Sequence, residues 1–293
     1  MADKDFKTVD EQLDILRSRG LIITDIDIAR DFLLRNNYYR ISGYSLTLRK
    51  NDIFYNSVSF QNIMDIYNFD YELRHIILQY VEIIEVQMKS LFSYEFTRLH
   101  GPLGYLNEEF FTDTLKYKQI IKKANMQAMK RLPNEAYLKH FIKETEHPLP
   151  LWVYVDLLTI SDISILYSIS ENKIKNAVAL NFGLTTSHAS EILGNYMHSM
   201  TIIRNLCAHG SRIYNRLFEQ KPSLNKKEKQ LLILKGNGEV DNSHFYGFFI
   251  IMHRLLPHNI FKEMKSRIIQ LTEKYPFVKM KYYGFRYDWQ NKL

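Results

Sequence analysis

The chain has 293 residues, of which 46% are hydrophobic and 24% charged, so it has enough apolar material for a large core. Its formal net charge of +7 favours a polyanionic partner such as RNA. A single cysteine excludes an intrachain disulfide. The charged N-terminus and the short apolar runs argue against a signal peptide and a membrane span, so we predict a cytoplasmic protein with no membrane association.

The first part of the chain predicts short elements. Thr8 and Glu11 have the spacing of a capping box, which predicts a helix over 8–19. A second amphipathic helix is predicted over 25–37. The alternation in 38–50 predicts a short strand or extended segment rather than a third helix.

The rest of the chain predicts helices almost throughout, and we therefore expect a predominantly all-α fold. The predicted segments are 60–100, 112–145 with a break at Pro133, 147–170, 172–184, 187–210, 245–257 and 259–275, with a charged excursion over 220–243. No sharp linker separates an N-terminal helical and extended region, 1–58, from a helical domain, 59–293. A single continuous unit is the alternative.

One stretch carries the strongest candidate chemistry, IIRNLCAHGSRIYNR at 202–216. Arg204 and His209 are five positions apart, which places them about 140° apart around an ideal helix. His209 falls in the last turn before Gly210, where the backbone departs from ideal geometry and the ring can turn toward the arginine. The two side chains are therefore candidates for a shared site.

An arginine and a histidine within reach of one phosphate suit metal-independent RNA cleavage. The 2′-hydroxyl is an internal nucleophile, a histidine can take or return its proton, and a guanidinium stabilises the transition-state charge. We find no P-loop, zinc-ligand spacing or acidic Mg²⁺ cluster, so we expect no metal or cofactor.

An ordinary helix C-terminus without a chemical role is the simpler alternative for this stretch, because short Arg–His spacings arise by chance. Arg254 and His258 form another such spacing, to which we assign no chemistry. Cys207 lies inside an apolar helix, and we expect it to be a core residue rather than a nucleophile paired with His209.

The motif RNLCAH resembles the R-x(4–6)-H motif of the HEPN ribonuclease superfamily in its RN-x3-H form. Further blocks resemble bacterial abortive-infection proteins of the AbiD/AbiF type, in that family's order and over nearly the whole chain. These blocks are EQLDILRSRGLIITD, LLRNNYYRISGYSL, IYNFDYELRHIIL, VEIIEVQMKSLF, PLPLWVYVDLLTISDISILY, IRNLCAHGSRIYNR and YYGFRYDWQ.

The resemblance implies a HEPN-like helical bundle with a small N-terminal segment and helical insertions. It also implies phage defence, an endoribonuclease toxin and, for some members, a small structured RNA. Arg204 and His209 match the family's catalytic pair, and Asn205 matches the polar residue that orients the site. Glu85 matches an acid of the "IE" block, and we predict that it pairs with a basic residue, with Arg204 as the candidate.

Two further expectations follow from the resemblance. Asp70 and Arg74 match the "FD-x-x-LR" block as supporting residues, although an ion pair on the helix surface at i,i+4 is the simpler alternative. HEPN sites are built from two facing motifs, and this chain has one. We therefore expect a symmetric homodimer in which the two RNLCAH helix ends are adjacent.

The candidates for RNA binding are basic or aromatic side chains: Arg212, Arg216, Tyr38, Tyr39, Arg40 and Lys89. Core packing is the alternative for the two tyrosines. The leading functional prediction is a dimeric, metal-independent endoribonuclease of a phage-defence system, with a bound small RNA as a candidate control. The alternative is an RNA-binding scaffold that does not cut. A toxin acting only through a protein partner has no sequence feature in its favour.

Overall fold

A computed structural model of the chain describes residues 5–144 and 147–293. Helices dominate this part of the chain, and the predicted all-α class is confirmed. In chain order the α-helices are α1 (Val9–Ser18), α2 (Ile26–Asn36), α3 (Tyr38–Ser42), α4 (Phe60–His100), α5 (Thr114–Arg131), α6 (Ala136–Lys139), α7 (Leu151–Tyr154), α8 (Ile160–Ile169), α9 (Asn172–Asn181), α10 (Ala189–Ala208), α11 (Lys226–Lys229), α12 (Phe245–Leu255) and α13 (His258–Lys274).

Short elements connect these helices. Strands β1 (Arg49–Lys50) and β2 (Ile53–Phe54) form an antiparallel hairpin. A π-helical turn spans His140–Glu144. Single 3₁₀ turns cover Leu46–Leu48, Gly104–Leu106, Glu108–Phe110, Val155–Leu157, Met280–Tyr283 and Trp289–Asn291.

Helix α4 is the long central element. It begins at a capping box in which Ser59 Oγ accepts from Asn62 N–H and the Asn62 side chain accepts from Ser59 N–H at 2.9 Å. It ends at Gly101, whose φ of 76° a glycine adopts without strain. Apolar side chains around much of α4 are buried, and the helix packs against α7, α8, α9, α10 and α13.

Helix α10 lies in the middle of this bundle, between α4, α8, α9 and α12. Its buried apolar seam recurs every three or four positions, as the sequence pattern predicts. The buried residues of that seam are Leu193, Tyr196, Met200, Ile203 and Cys207. The bundle therefore fixes α10 along its length and leaves its C-terminal end at the surface, where Ala208 and His209 are exposed.

Two sequence predictions about local structure are wrong. Residues 38–42 form a helix rather than an extended segment, because Asn37, at φ 62°, ends α2 and its side chain then caps the amide of Tyr39 at 2.8 Å. The helix predicted over 147–170 is broken, because Leu158 is extended and Thr159 starts α8 with its own capping box. Of the helix predicted over 112–145, residue 145 lies outside the described residues.

Candidate functional site

The end of α10 places the motif histidine at a tight backbone turn. His209 is the C-cap residue, and Gly210 follows in the left-handed conformation at φ 63°. The amide of Gly210 donates to the Cys207 carbonyl at 3.0 Å, and the amide of Ser211 donates to the Leu206 carbonyl at 2.9 Å. This is a Schellman motif, which only glycine enters at low cost. The exposed His209 ring therefore lies at the C-terminal end of α10, and the chain changes direction directly after it.

The motif arginine lies one turn earlier and is partly exposed. Its Nε lies 3.8 Å from Oε2 of Glu85 in α4, which is the partner expected from the sequence. Its Nη1 donates to Asn205 Oδ1 at 3.4 Å, so the residue after Arg204 helps to orient it. Lys89 holds the other Glu85 oxygen at 2.9 Å. Lys89 is therefore neutralised and mostly buried, which weakens its candidacy as an RNA contact.

A groove of about 390 Å³ opens between α4 and the end of α10. Its walls are Leu78, Gln79, Glu82, Glu85, Val86, Lys89, Arg204 and Ala208. Arg204 lines this groove and His209 stands beyond its end. Within the described parts of the chain, the His209 ring has no hydrogen-bond or ionic partner, and no hydrogen bond joins it to Arg204.

The pair Asp70 and Arg74 is buried, so its expected alternative as a surface ion pair is wrong. One carboxylate oxygen of Asp70 takes the amide of Tyr214 at 2.8 Å, and the other takes the amide of Ile213 at 3.2 Å and the guanidinium of Arg74. The hydroxyls of Tyr44 and Tyr283 donate to the same carboxylate. The pair therefore anchors the segment that follows the motif.

The electrostatics of this region also decide the role of the cysteine. Burial raises the pKa of the Cys207 thiol, and the nearby carboxylate of Asp70 raises it further. Cys207 is buried in the core, as expected from its apolar surroundings. A thiol in this state is a poor nucleophile.

The N-terminal candidates separate into three situations. Arg40 is half-buried and donates to the carbonyl oxygen of Gly210, next to the motif histidine. Tyr38 packs partly against the core, whereas Tyr39 is 86% exposed, so core packing is wrong for Tyr39. Both tyrosines line a separate cleft of about 710 Å³ on the other side of α3.

The two arginines after the motif form no ion pair with any described residue. Arg212 donates to the carbonyl of Tyr214, and Arg216 is exposed over the ring of Phe218, 5.8 Å from its centroid. Neither has a carboxylate within 4.0 Å among the described residues.

Sequence reasoning missed two residues beside this segment. The amide of Asn215 donates to the carbonyl of Tyr282 at 2.9 Å, and the Tyr214 and Tyr282 rings meet edge to face at 5.4 Å. Exposed Lys281 lies over the Tyr282 ring. The aromatic and basic pattern of the C-terminal segment was visible in the sequence, but only the fold brings it to the motif.

Comparison with known proteins identifies the family. A family model described as Abi-like protein matches residues 31–215, from within α2 to the segment that Asp70 anchors. The chain belongs to the Abi-like protein family. No curated protein and no solved structure matches the chain. The part matched to the Abi-like family includes Glu85, Asp70, Arg74 and the whole RNLCAH motif, whereas Arg216 and the C-terminal helices lie beyond it.

Two other features of the described residues bear on the class of protein. None of the helices there is both long enough and apolar enough to cross a lipid bilayer. No three histidine, cysteine, aspartate or glutamate side chains in those residues gather as metal ligands would.

Proposed function

We propose that this Abi-like protein is a phage-defence endoribonuclease that cuts RNA without a metal ion, with Arg204, Asn205 and His209 at its catalytic centre. Membership of an abortive-infection family supports the biological role. The observation that carries the chemistry is the helix end itself: an exposed histidine without a partner in the described chain, one turn beyond an arginine that a carboxylate and an amide hold in place.

The proposed reaction is attack of the RNA 2′-hydroxyl on its own 3′-phosphate. His209 takes the hydroxyl proton or returns one to the leaving 5′-oxygen, and Arg204 stabilises the charge that develops on the phosphate oxygens. The products are a 2′,3′-cyclic phosphate and a free 5′-hydroxyl. DNA lacks the nucleophile and is spared.

Unpaired basic side chains beside the motif support RNA as the substrate. Arg212, Arg216 and Lys281 have no carboxylate within 4.0 Å among the described residues, although many other basic residues in the chain are ion-paired. Phosphate contacts of this kind position an RNA strand without reading its sequence. Tyr282, which packs against Tyr214 after the motif, and the exposed Tyr39 in its separate cleft both offer rings on which unpaired bases could stack.

The reaction as proposed needs two copies of the chain, because each chain carries one RNLCAH motif and the resemblance to HEPN ribonucleases implies a site built from two. The groove between α4 and α10 offers a surface for the second copy: Val86 is 60% exposed there and Ala208 lies beside it. A two-fold contact through this groove would bring both helix ends together. Mass measurement by light scattering should give a dimer that Val86→Asp converts to a monomer, and a monomeric wild type contradicts the arrangement.

A non-cutting RNA-binding scaffold is the second candidate. The observation in its favour is that the Arg204 guanidinium lies beside Glu85 and Asn205 and forms no hydrogen bond with His209 in the described chain. In this alternative the basic residues bind RNA and the motif histidine has no chemical role.

A bound small RNA that covers the site is the form of restraint we favour for the cutting enzyme, and it predicts a discrete RNA in protein purified without RNase.

The test is cleavage of mixed RNAs in EDTA by protein stripped of RNA, with His209→Ala and His258→Ala beside the wild type. His258 lies at the start of α13 and is the matched control, because it belongs to the other short Arg–His spacing. The proposal predicts products with 2′,3′-cyclic phosphate ends from the wild type and the His258 variant only. Equal RNA binding by all three proteins without cutting supports the scaffold.

A further inference from the structure

The short helix α3, in the N-terminal region, contacts the segment at the end of α10. Arg40 in α3 donates from Nη2 to the carbonyl oxygen of Gly210, the residue directly after His209. The same guanidinium lies 5.7 Å from the ring centroid of Tyr67 in α4. Because 170 positions separate Arg40 from Gly210, this is a tertiary contact rather than a local helix cap.

Further contacts join the same two segments of the chain. A Cβ on Gly43 would lie 3.3 Å from Nε of Arg212, so the end of α3 and the segment after the motif are closely packed. Thr47 Oγ1 and the Tyr214 hydroxyl are hydrogen-bonded. The two segments therefore meet at several successive points, with Arg40 nearest to the motif histidine.

We propose that Arg40 is a positioning residue for His209, and that the N-terminal region acts on the site through it. The imidazole has no side-chain partner among the described residues, so its place is set by the backbone that carries it. Arg40 fixes that backbone at Gly210, where the chain takes its left-handed turn. This inference rests on the proposed role of His209 as the catalytic histidine.

The contact geometry argues for positioning over a direct RNA contact. The Arg40 guanidinium is half-buried, bonded to the carbonyl of Gly210 just beyond the C-cap of α10, and packed over an aromatic ring. A phosphate would have to displace this carbonyl, whereas exposed Arg216 beyond it has no such partner.

The test separates binding from rate. Single-turnover cleavage is measured at saturating protein, and the RNA dissociation constant is measured in the His209→Ala background. We expect Arg40→Ala to slow the saturated rate by about 10- to 100-fold, since small misplacements of a catalytic group have effects of this size. The dissociation constant should stay within about twofold, and Arg40→Lys should recover part of the rate.

Arg35→Ala is the matched control, because Arg35 lies at the end of α2 and pairs only with Asp31 at the surface. The control should cut at the wild-type rate. A weaker dissociation constant for Arg40→Ala with an unchanged saturated rate overturns the proposal in favour of a direct RNA contact. Unchanged binding and unchanged rate overturn it too.

Hydrogen exchange separates a failure of this inference from a failure of the proposed activity, since it needs no cutting. In Arg40→Ala, or in Arg40→Lys if the alanine variant does not fold, the amides of Gly210 and Ser211 should exchange faster while those of α4 stay protected. That result supports the positioning of the Gly210 backbone by Arg40 even if the wild type leaves RNA intact. In that case only the proposed activity fails. Unchanged exchange at both amides refutes the positioning of this backbone by Arg40.

Discussion

Replacing Asp70 with Asn perturbs the buried pair that anchors the segment after the motif. The Arg74 and Asp70 side chains are 2% and 0% exposed. The Asp70 carboxylate also accepts from two tyrosine hydroxyls and two backbone amides. Asparagine keeps the shape, but it removes the charge that Arg74 needs and turns an NH₂ group toward groups that are themselves donors.

The expected cost follows from burial. A buried charge that loses its partner costs about 3–5 kcal/mol. In a chain of this size each kcal/mol lowers the midpoint of thermal unfolding by about 2 °C, so we expect Asp70→Asn to lower it by about 6–10 °C. The backbone at Ile213 and Tyr214 should loosen first, because their amides lose a charged acceptor.

The chain contains its own control for this measurement. Asp31 and Arg35 form an Asp–Arg pair with the same i,i+4 spacing at 2.8 Å, but with side chains 56% and 74% exposed. Asp31→Asn should leave the midpoint unchanged, because exposed pairs contribute little. The assay is thermal unfolding followed by circular dichroism or calorimetry. Equal shifts for the two variants would refute the argument that burial makes the Asp70 pair structural.

Three other predictions concern the motif. Glu85→Gln should slow RNA cutting about tenfold with the fold intact, because it removes the carboxylate beside Arg204; full activity would sink this role. Cys207 in the folded chain should resist iodoacetamide even at pH 9, because burial raises the pKa of its thiol, and should react at once in urea; rapid labelling of the folded protein would contradict its placement. Gly210→Ala should lower the free energy of unfolding by about 1 kcal/mol in urea titrations, and Gly210→Asn by less, since asparagine tolerates the left-handed conformation better; no difference from wild type would count against the turn.

Local signals in the sequence predicted most of the helices. The capping box of Thr8 and Glu11 begins α1, and the long apolar periodicity of α4 ends at Gly101 as predicted. The pattern failed at 38–42, where alternating apolar residues suit a strand and a short helix equally well. The asparagine before that segment decides the outcome, through a backbone conformation that the pattern does not reveal.

The candidate site also has features that the sequence predicted and contacts that it could not predict. The end of α10 at Gly210 followed from the sequence, since glycine after an apolar helix is a local signal. The contacts that hold the site join distant segments: Asp70 reaches Tyr214 across 144 positions, and Arg40 reaches Gly210 across 170. No periodicity carries such information, so the sequence alone could not show that Asp70 is buried or that Arg40 meets Gly210.

The central claim is that the end of α10 cuts RNA, and one measurement tests it most directly. A single RNA of defined sequence is incubated with excess RNA-free protein in EDTA, and the chemical ends of every product are determined for the wild type and His209→Ala at equal RNA occupancy. We expect 2′,3′-cyclic phosphate and 5′-hydroxyl ends from the wild type and intact RNA with the variant. Cutting by both proteins at the same rate, or intact RNA with both at full occupancy, would contradict it.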